Sequence, residues 1–183
     1  MKLLIASDIH GDILSTRQII KTAKEQGVDK IVLLGDVLYH GPRNDLPQHY
    51  SPKEVISLLN ENAQNILCIK GNCEAEVDGM VLKFPVLCEQ GFIYDGDCGV
   101  SMYLSHGHKY NPENLPPLPE NSVFLYGHTH IYKCEKVNNI FCINPGSVTL
   151  PKGGNPKTLA LYESGKFQIM DEFGEIVQSI KVR

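Results

Sequence analysis

Acid, amide and imidazole side chains recur along this chain in five clusters: Asp8-Ile9-His10, Gly35-Asp36, Gly71-Asn72, His106-Gly107-His108 and Gly127-His128-Thr129-His130. Each follows a short apolar run, such as Leu3-Leu4-Ile5-Ala6 ahead of Asp8 or Ile31-Val32-Leu33-Leu34 ahead of Asp36. Each cluster therefore reads as a loop where a strand delivers polar residues to a shared rim. Seven oxygen and nitrogen donors would meet there, a number that suits two divalent cations. Two cations about 3.5–4 Å apart clamp a phosphate, lower the pKa of a bound water and stabilise the charge that develops during displacement, the recurring apparatus of phosphate ester hydrolysis. Carboxylate and amide oxygens suit hard cations, and imidazole adds affinity for Mn, Fe, Co, Ni or Zn, so the mixed set points away from Ca²⁺. Mn²⁺ is the favoured occupant, with Zn²⁺, Fe, Co²⁺ and Ni²⁺ as alternatives. A single His here would read as a surface or capped-core residue, but five clusters at consecutive strand ends do not.

The elements that must position these clusters alternate in the first half. Lys2 to Ser7 reads as a strand, Ile13 to Gln26 as a helix stopped by Gly27, and Lys30 to Leu34 as a second strand. Ser51-Pro52-Lys53-Glu54 carries a Ser N-cap, Pro at the first helical position and Glu three residues on, predicting a capping box and a helix to about Gln64. With Ile66 to Lys70 as the third strand, this half is a βαβαβ unit that predicts a parallel sheet with right-handed crossovers. The second half reads as short strands: Ser101 to Ser105, Val123 to Tyr126, Tyr132 to Val137, Ile140 to Ile143, Thr158 to Glu163, Lys166 to Asp171 and Glu175 to Val182. Turn signals at Asn138-Asn139 and Ser164-Gly165 mark hairpins. The expectation is an α/β protein of two packed sheets with helices on the outer faces.

Composition sets the bounds. At 183 residues, with 42% hydrophobic and 21% charged residues and no linker-like stretch, the chain reads as one domain over residues 1–183. A net charge of −4 argues against a nucleic-acid polymer as partner, because sequence-independent binding needs a basic face. A phosphate ligand would instead be attracted locally by metal charge. The apolar run after Met1-Lys2 is too short for a secretory signal or a membrane span, so a cytoplasmic protein with no membrane partner is expected. The six cysteines show no Cys-x-x-Cys spacing, and Cys68, Cys134 and Cys142 lie in apolar runs as small buried hydrophobes.

From Asp8 to His130 the pattern Asp-x-His, Gly-Asp, Gly-Asn, His-x-x and Gly-His-x-His resembles the calcineurin-like metallophosphoesterases. The likeness is closer to the bacterial YfcE-type phosphodiesterases, in Gly35 through Asn44, in Gly71-Asn72-Cys73, in Asn114-Leu115-Pro116, in Asn144-Pro145-Gly146-Ser147 and in Pro151 through Pro156. The resemblance implies the four-layer α/β/β/α sandwich of that family. It implies that Asp8, His10 and His130 hold one metal, that Asn72, His106 and His128 hold the other, and that Asp36 bridges them. A hydroxide held between the ions would then attack phosphorus. It also suggests a homo-oligomer.

One position departs from the wider family, where a His often follows the Gly-Asn pair; here it is Cys73. A thiol with an unperturbed pKa of about 8.5 is a poorer proton donor to an alkoxide, so the departure disfavours alkyl monoesters. It fits diesters with a readily departing group, or diesters whose leaving oxygen takes its proton from His40, His108 or solvent. Arg43, seven residues after Asp36, is a candidate phosphate clamp, with a local ion pair to Asp45 as the alternative. His40 and Asn44 share its loop as candidate substrate contacts. His108 is a candidate partner that orients His106, or a structural residue. Tyr39, Tyr110 and Phe84 are read as core aromatics in preference to a stacking platform. Gly35, Gly71, Gly107 and Gly127 flank the ligands where the backbone must turn.

The leading expectation is a metal-dependent phosphodiesterase acting on a small-molecule diester. The alternatives are a phosphomonoesterase or protein phosphatase on the same centre, and a non-catalytic scaffold of the same fold.

Overall fold

The computed structural model describes residues 1–183. Strand β1 (Lys2–Ala6) leads into helix α1 (Ile13–Gln26), followed by β2 (Lys30–Leu33), α2 (Pro52–Glu61), β3 (Ile66–Cys68), α3 (Glu76–Val81), β4 (Gln90–Asp95), β5 (Val100–Ser105) and β6 (Val123–Leu125). The chain closes with β7 (Lys133–Val137), β8 (Ile140–Asn144), β9 (Thr158–Glu163), β10 (Lys166–Asp171) and β11 (Ile176–Lys181). They form a six-stranded sheet in the order β11-β10-β9-β1-β2-β3 and a five-stranded sheet in the order β4-β5-β6-β8-β7.

The βαβαβ unit is present, with β1, β2 and β3 parallel and adjacent. The last three strands do not stay with the second half. β9 pairs antiparallel with β1, and β10 and β11 follow as hairpins, so the first sheet is mixed. The second sheet is mixed too, because β5, β6 and β8 run parallel. The hairpins β7–β8 and β9–β10 turn as expected: Asn138 and Asn139 have φ of 48° and 63°, and Ser164 and Gly165 have 49° and 75°. Two successive positive φ values match the right-handed twist of the flanking strands.

Alternation of side chains across β1 and β2 divides the core. Leu4, Ala6, Ile31 and Leu33 face the helices, together with Ile19, Val55 and Leu59. Leu3, Ile5 and Val32 face the second sheet, against Met102, Leu104, Val123 and Ile143. The helical layer covers one outer face only. On the other, Phe124, Tyr126, Ile140 and Cys142 are covered by Tyr110, Leu115 and Leu118 from irregular chain. Phe84 lies in the helix-side core, and Cys68, Cys134 and Cys142 are buried as expected.

Capping departs in one detail. Asp12 caps α1, its side chain accepting from the Ser15 N–H at 2.8 Å, and Gly27 ends the helix in the left-handed region. At α2 the expected capping box does not form: the Ser51 hydroxyl accepts no backbone N–H and donates instead to the Glu54 carboxylate at 2.8 Å, and the Ser51 N–H donates to the Gly11 carbonyl at 2.9 Å. That helix stops at Glu61, and a 3₁₀ turn over Ala63–Asn65 completes the stretch to β3.

Candidate metal centre

The parallel strands of both sheets end at one rim. Asp8 and His10 follow β1, Asp36 follows β2, Asn72 follows β3, His106 follows β5, and His128 and His130 follow β6. Asp8, His10, Asp36, His128 and His130 all have left-handed backbones, with φ of 58°, 50°, 55°, 67° and 60°. For residues other than Gly this region costs about 1–3 kcal/mol each and persists only where surrounding contacts over-determine it.

Those contacts are present. The His10 N–H donates to the Asp36 carbonyl at 2.9 Å and the Asp8 N–H to the Gly35 carbonyl at 3.2 Å. The buried Glu74 carboxylate accepts from the backbone N–H groups of Asp36 at 3.0 Å, Val37 at 2.6 Å and Gly71 at 2.5 Å. Asn144 donates to the Gly127 carbonyl at 2.9 Å, and the Ser147 hydroxyl to the Asp8 carbonyl at 2.8 Å. Two glycines are required for closeness: a Cβ on Gly71 would strike Asp36 Oδ1, and one on Gly35, at φ 93°, would strike the Gly71 backbone.

Three imidazoles are oriented alike. Nδ1 of His10 faces the Tyr39 carbonyl at 2.8 Å, that of His106 the Leu34 carbonyl at 2.6 Å, and that of His130 the Leu150 carbonyl at 2.6 Å. A carbonyl only accepts, so each Nδ1 carries the proton and Nε2 is left to face the centre. There Nε2 of His130 lies 3.2 Å from Asp8 Oδ1, and Nε2 of His10 lies 3.7 Å from the same oxygen. Asp36 presents Oδ1 to His106 Nε2 at 3.5 Å and Oδ2 to His10 Nε2 at 3.8 Å. Asn72 Oδ1 is 3.1 Å from His106 Nε2, and the His128 ring is 5.1 Å from the His106 ring.

This donor set fits cations on its own chemistry. Asp8 is fully buried, Asp36 nearly so, and neither pairs with Lys or Arg. Asp8 Oδ1 accepts no hydrogen bond although Oδ2 accepts from Ser7 Oγ and the His128 N–H. Nε2 of His10 faces Nε2 of His130 at 3.3 Å, lone pair toward lone pair when both rings are neutral. Burying two carboxylates with imidazole as their only charged partner is expensive, and cations between these atoms relieve the conflicts. Without metal, Asp36 stays below the usual carboxylate range: burial pushes it up, but the His106 hydrogen bond and charge outweigh that. Burial lowers His10 and His128.

A cavity of about 380 Å³ opens over the centre, lined by Asp36, Asn72, Cys73, His128 and His130 on one side and by Gly41, Pro42, Arg43, Asn44, Thr129 and Lys152 on the other. Arg43 and Asn44 thus reach the site, and Arg43 makes no ion pair with Asp45. His40 does not line the cavity: its ring packs edge-on against Tyr39 and Tyr50, with ring centroids at 4.8 and 5.4 Å. His108 lies beside His106 with ring centroids 5.4 Å apart, but the atom that orients His106 is the Leu34 carbonyl. Tyr39, Tyr110 and Phe84 line no part of this cavity. Sequence reasoning passed over Glu74, Asn144 and Lys152. Asn144 stood inside the quoted Asn-Pro-Gly-Ser stretch and Glu74 two residues past a ligand, the signals that could have found them.

Known proteins resemble this chain in sequence and fold. The model of the calcineurin-like phosphoesterase superfamily domain matches residues 1–166. The chain is 43% identical over 171 residues to phosphodiesterase YfcE of Escherichia coli K12, covering 93% of this chain and 91% of that protein. It is 26% identical to phosphodiesterase MJ0936 of Methanocaldococcus jannaschii, over 97% and 99% of the two chains. The solved structure of YfcE, described as a phosphoesterase from E. coli, superposes with a TM-score of 0.96 at 40% identity over the whole of both chains. Vps29 of Entamoeba histolytica, at 18% identity and a TM-score of 0.59 over the whole of both chains, shares the fold. With its family model spanning most of its length and its strand ends converging on one buried donor set, the chain belongs to the calcineurin-like phosphoesterase superfamily.

Proposed function

We propose that this protein is a metal-dependent phosphodiesterase that hydrolyses small phosphodiesters at a two-cation centre. The observation that carries this reading is the Asp36 carboxylate, whose two oxygens face different imidazoles, His106 and His10, at the floor of the cavity. Asp8, His10 and His130 would hold one ion and Asn72, His106 and His128 the other, with Asp36 shared between them. When bound, two such cations supply an activated water and positive charge opposite the charge that develops at phosphorus. Mn²⁺ is the proposed occupant on the mixed carboxylate, amide and imidazole donors. The 43% identity to a phosphodiesterase over most of both chains supports the diester reading.

The chain's own residues do the rest. Carbonyls of Tyr39, Leu34 and Leu150 hold three rings with Nε2 inward, so the donors need no reorganisation. Arg43 offers a planar guanidinium to a non-bridging phosphate oxygen, and Asn44, held by its bond to the His40 carbonyl at 2.8 Å, offers a further polar contact. Burial, and then the Asp36 charge, hold the Cys73 thiol well above its usual range. In the metal-free protein Cys73 is therefore a neutral wall of the site, and a thiol is a weak proton donor, which favours leaving groups that depart without a strong acid.

No helix is long and apolar enough to cross a membrane, and we propose a cytoplasmic enzyme. A homo-oligomer is supported by Leu67 on β3, by Leu87, and by Phe92 and Tyr94 on β4, all exposed along the open edges of the two sheets. Light scattering that gives only the 20.4 kDa monomer would refute it. The activity is tested with bis(4-nitrophenyl) phosphate and 4-nitrophenyl phosphate in Mn²⁺, before and after EDTA. Chelation should silence diester hydrolysis and Mn²⁺ restore it. Faster monoester turnover would replace this reading with a monoesterase, and absence of both metal binding and hydrolysis with a scaffold.

A further inference from the structure

Arg43 and Lys152 reach the cavity from separate loops, the first after β2 and the second after β8. Neither lies within 4.0 Å of any carboxylate, so the charge of each is free to meet a ligand at this cavity. Lys152 is also held in register with the centre. Its N–H donates to the His130 carbonyl at 3.0 Å, its carbonyl accepts from Asn155 Nδ2 at 2.7 Å, and His130 Nδ1 donates to Leu150 in the same loop. Arg43 and Lys152 thus bring two unpaired positive charges to one cavity.

The rest of the lining sharpens the chemistry. Its one apolar side chain is Pro42 and it includes no Phe or Tyr, so it offers little apolar wall for an acyl chain. Asn44 and Thr129 add short polar groups. A phosphodiester carries one negative charge, which the bound cations would neutralise at the floor. Arg43 can share that phosphate, but Lys152 then has no counterpart unless the substrate brings a second anion.

Resting on the phosphodiesterase reading, we propose that Lys152, together with Arg43, forms an anion subsite beside the reacting centre, and that the preferred substrate is a compact, polar diester bearing a second phosphate or carboxylate. Lys152 sets specificity here and does no chemistry. Its ammonium meets the remote anion as a point charge, while the guanidinium spans two oxygens.

The test compares two pairs of probes on the Mn²⁺-loaded protein at low ionic strength. In the binding pair, propane-1,3-diol bisphosphate and propyl phosphate differ only by a remote phosphate, and calorimetry reads their affinities. The bisphosphate should bind about tenfold more tightly or better, the size expected of one charge-assisted contact. Lys152→Met should cut that preference at least about fivefold and Lys152→Arg keep most of it, since Arg retains the charge. In the kinetic pair, 4-nitrophenyl propyl phosphate is compared with its analogue phosphorylated at the far end of the propyl arm, and the ratio of kcat/KM should follow the same pattern. Equal affinity for the two binding probes, or a preference that survives in both Lys152→Met and Arg43→Met, would overturn the subsite. Hydrolysis of neither diester, with the binding preference intact and lost in Lys152→Met, would instead sink the phosphodiesterase reading and leave the subsite standing.

Discussion

Metal binding should be coupled to one proton, and His106 is the group that releases it. In the metal-free protein burial lowers the pKa of this ring, but the hydrogen bond to Asp36 and the charges of Asp8 and Asp36 outweigh burial and raise it to about 9. Nδ1 donates to Leu34 in either state, so the titrating proton sits on Nε2, facing Asp36 and Asn72. A cation must displace it. With a pKa of about 9, roughly one ring in a hundred is neutral at pH 7, which should weaken metal binding by about 100-fold. His10 and His128, lowered by burial, add little to the release at pH 7. Affinity should rise about tenfold from pH 7 to pH 8. The sign for stability is opposite. A folded pKa raised above 6.5 stabilises the metal-free fold fully below about pH 6.5 and is lost as pH climbs through about 9, so the melting temperature of the metal-free protein should fall over that window. Calorimetric titration with Mn²⁺ at pH 7, in buffers of different ionisation enthalpy, reads the proton count directly. A release near zero, with affinity unchanged between pH 7 and 8, would refute the argument.

Other perturbations have equally definite outcomes. Asp36→Asn removes the carboxylate whose two oxygens face different imidazoles, so diester turnover should fall below a tenth of wild type, with circular dichroism unchanged because the core does not depend on it. Glu74→Ala leaves three buried N–H groups without their acceptor, at about 1–3 kcal/mol each; we expect roughly 3–6 kcal/mol of destabilisation in urea and loss of metal affinity, and a change under about 1 kcal/mol would show that Glu74 does not clamp Asp36. Gly71→Ala drives a Cβ into Asp36 Oδ1, and metal titration should show at least one site lost while the far sheet keeps its protection from hydrogen exchange. Cys73→His places an imidazole at the cavity wall and should raise monoester hydrolysis relative to diester; an unchanged ratio would mean this position does not meet the leaving group.

Much of the site was legible in the residues because its chemistry demands particular types. Only carboxylate, amide and imidazole side chains supply such donors, and a parallel sheet collects them at the carboxyl ends of its strands, so the five clusters from Asp8 to His130 could be read from position, while the choice of ligands among them came from the family resemblance. The elements β1, α1, β2, α2 and β3 were readable for a similar reason, since hydrophobic period and local caps are properties of neighbouring residues. Exposed Gln90–Asp95 was not, because its aromatics point outward at a sheet edge and break the usual alternation. Tertiary structure decided what local chemistry cannot. Whether β9 to β11 join the first sheet or the second depends on which edge of β1 is open, a question of three-dimensional partners. The turn of His40 away from the cavity, the carbonyls that orient His10, His106 and His130, and the arrival of Lys152 beside Arg43 rest on contacts between residues far apart in sequence. So do the left-handed backbones of Asp8, Asp36 and His130: Asp and His tolerate that region better than most residues, but only the completed fold, with Glu74, Ser147 and the facing strand ends in place, fixes them there.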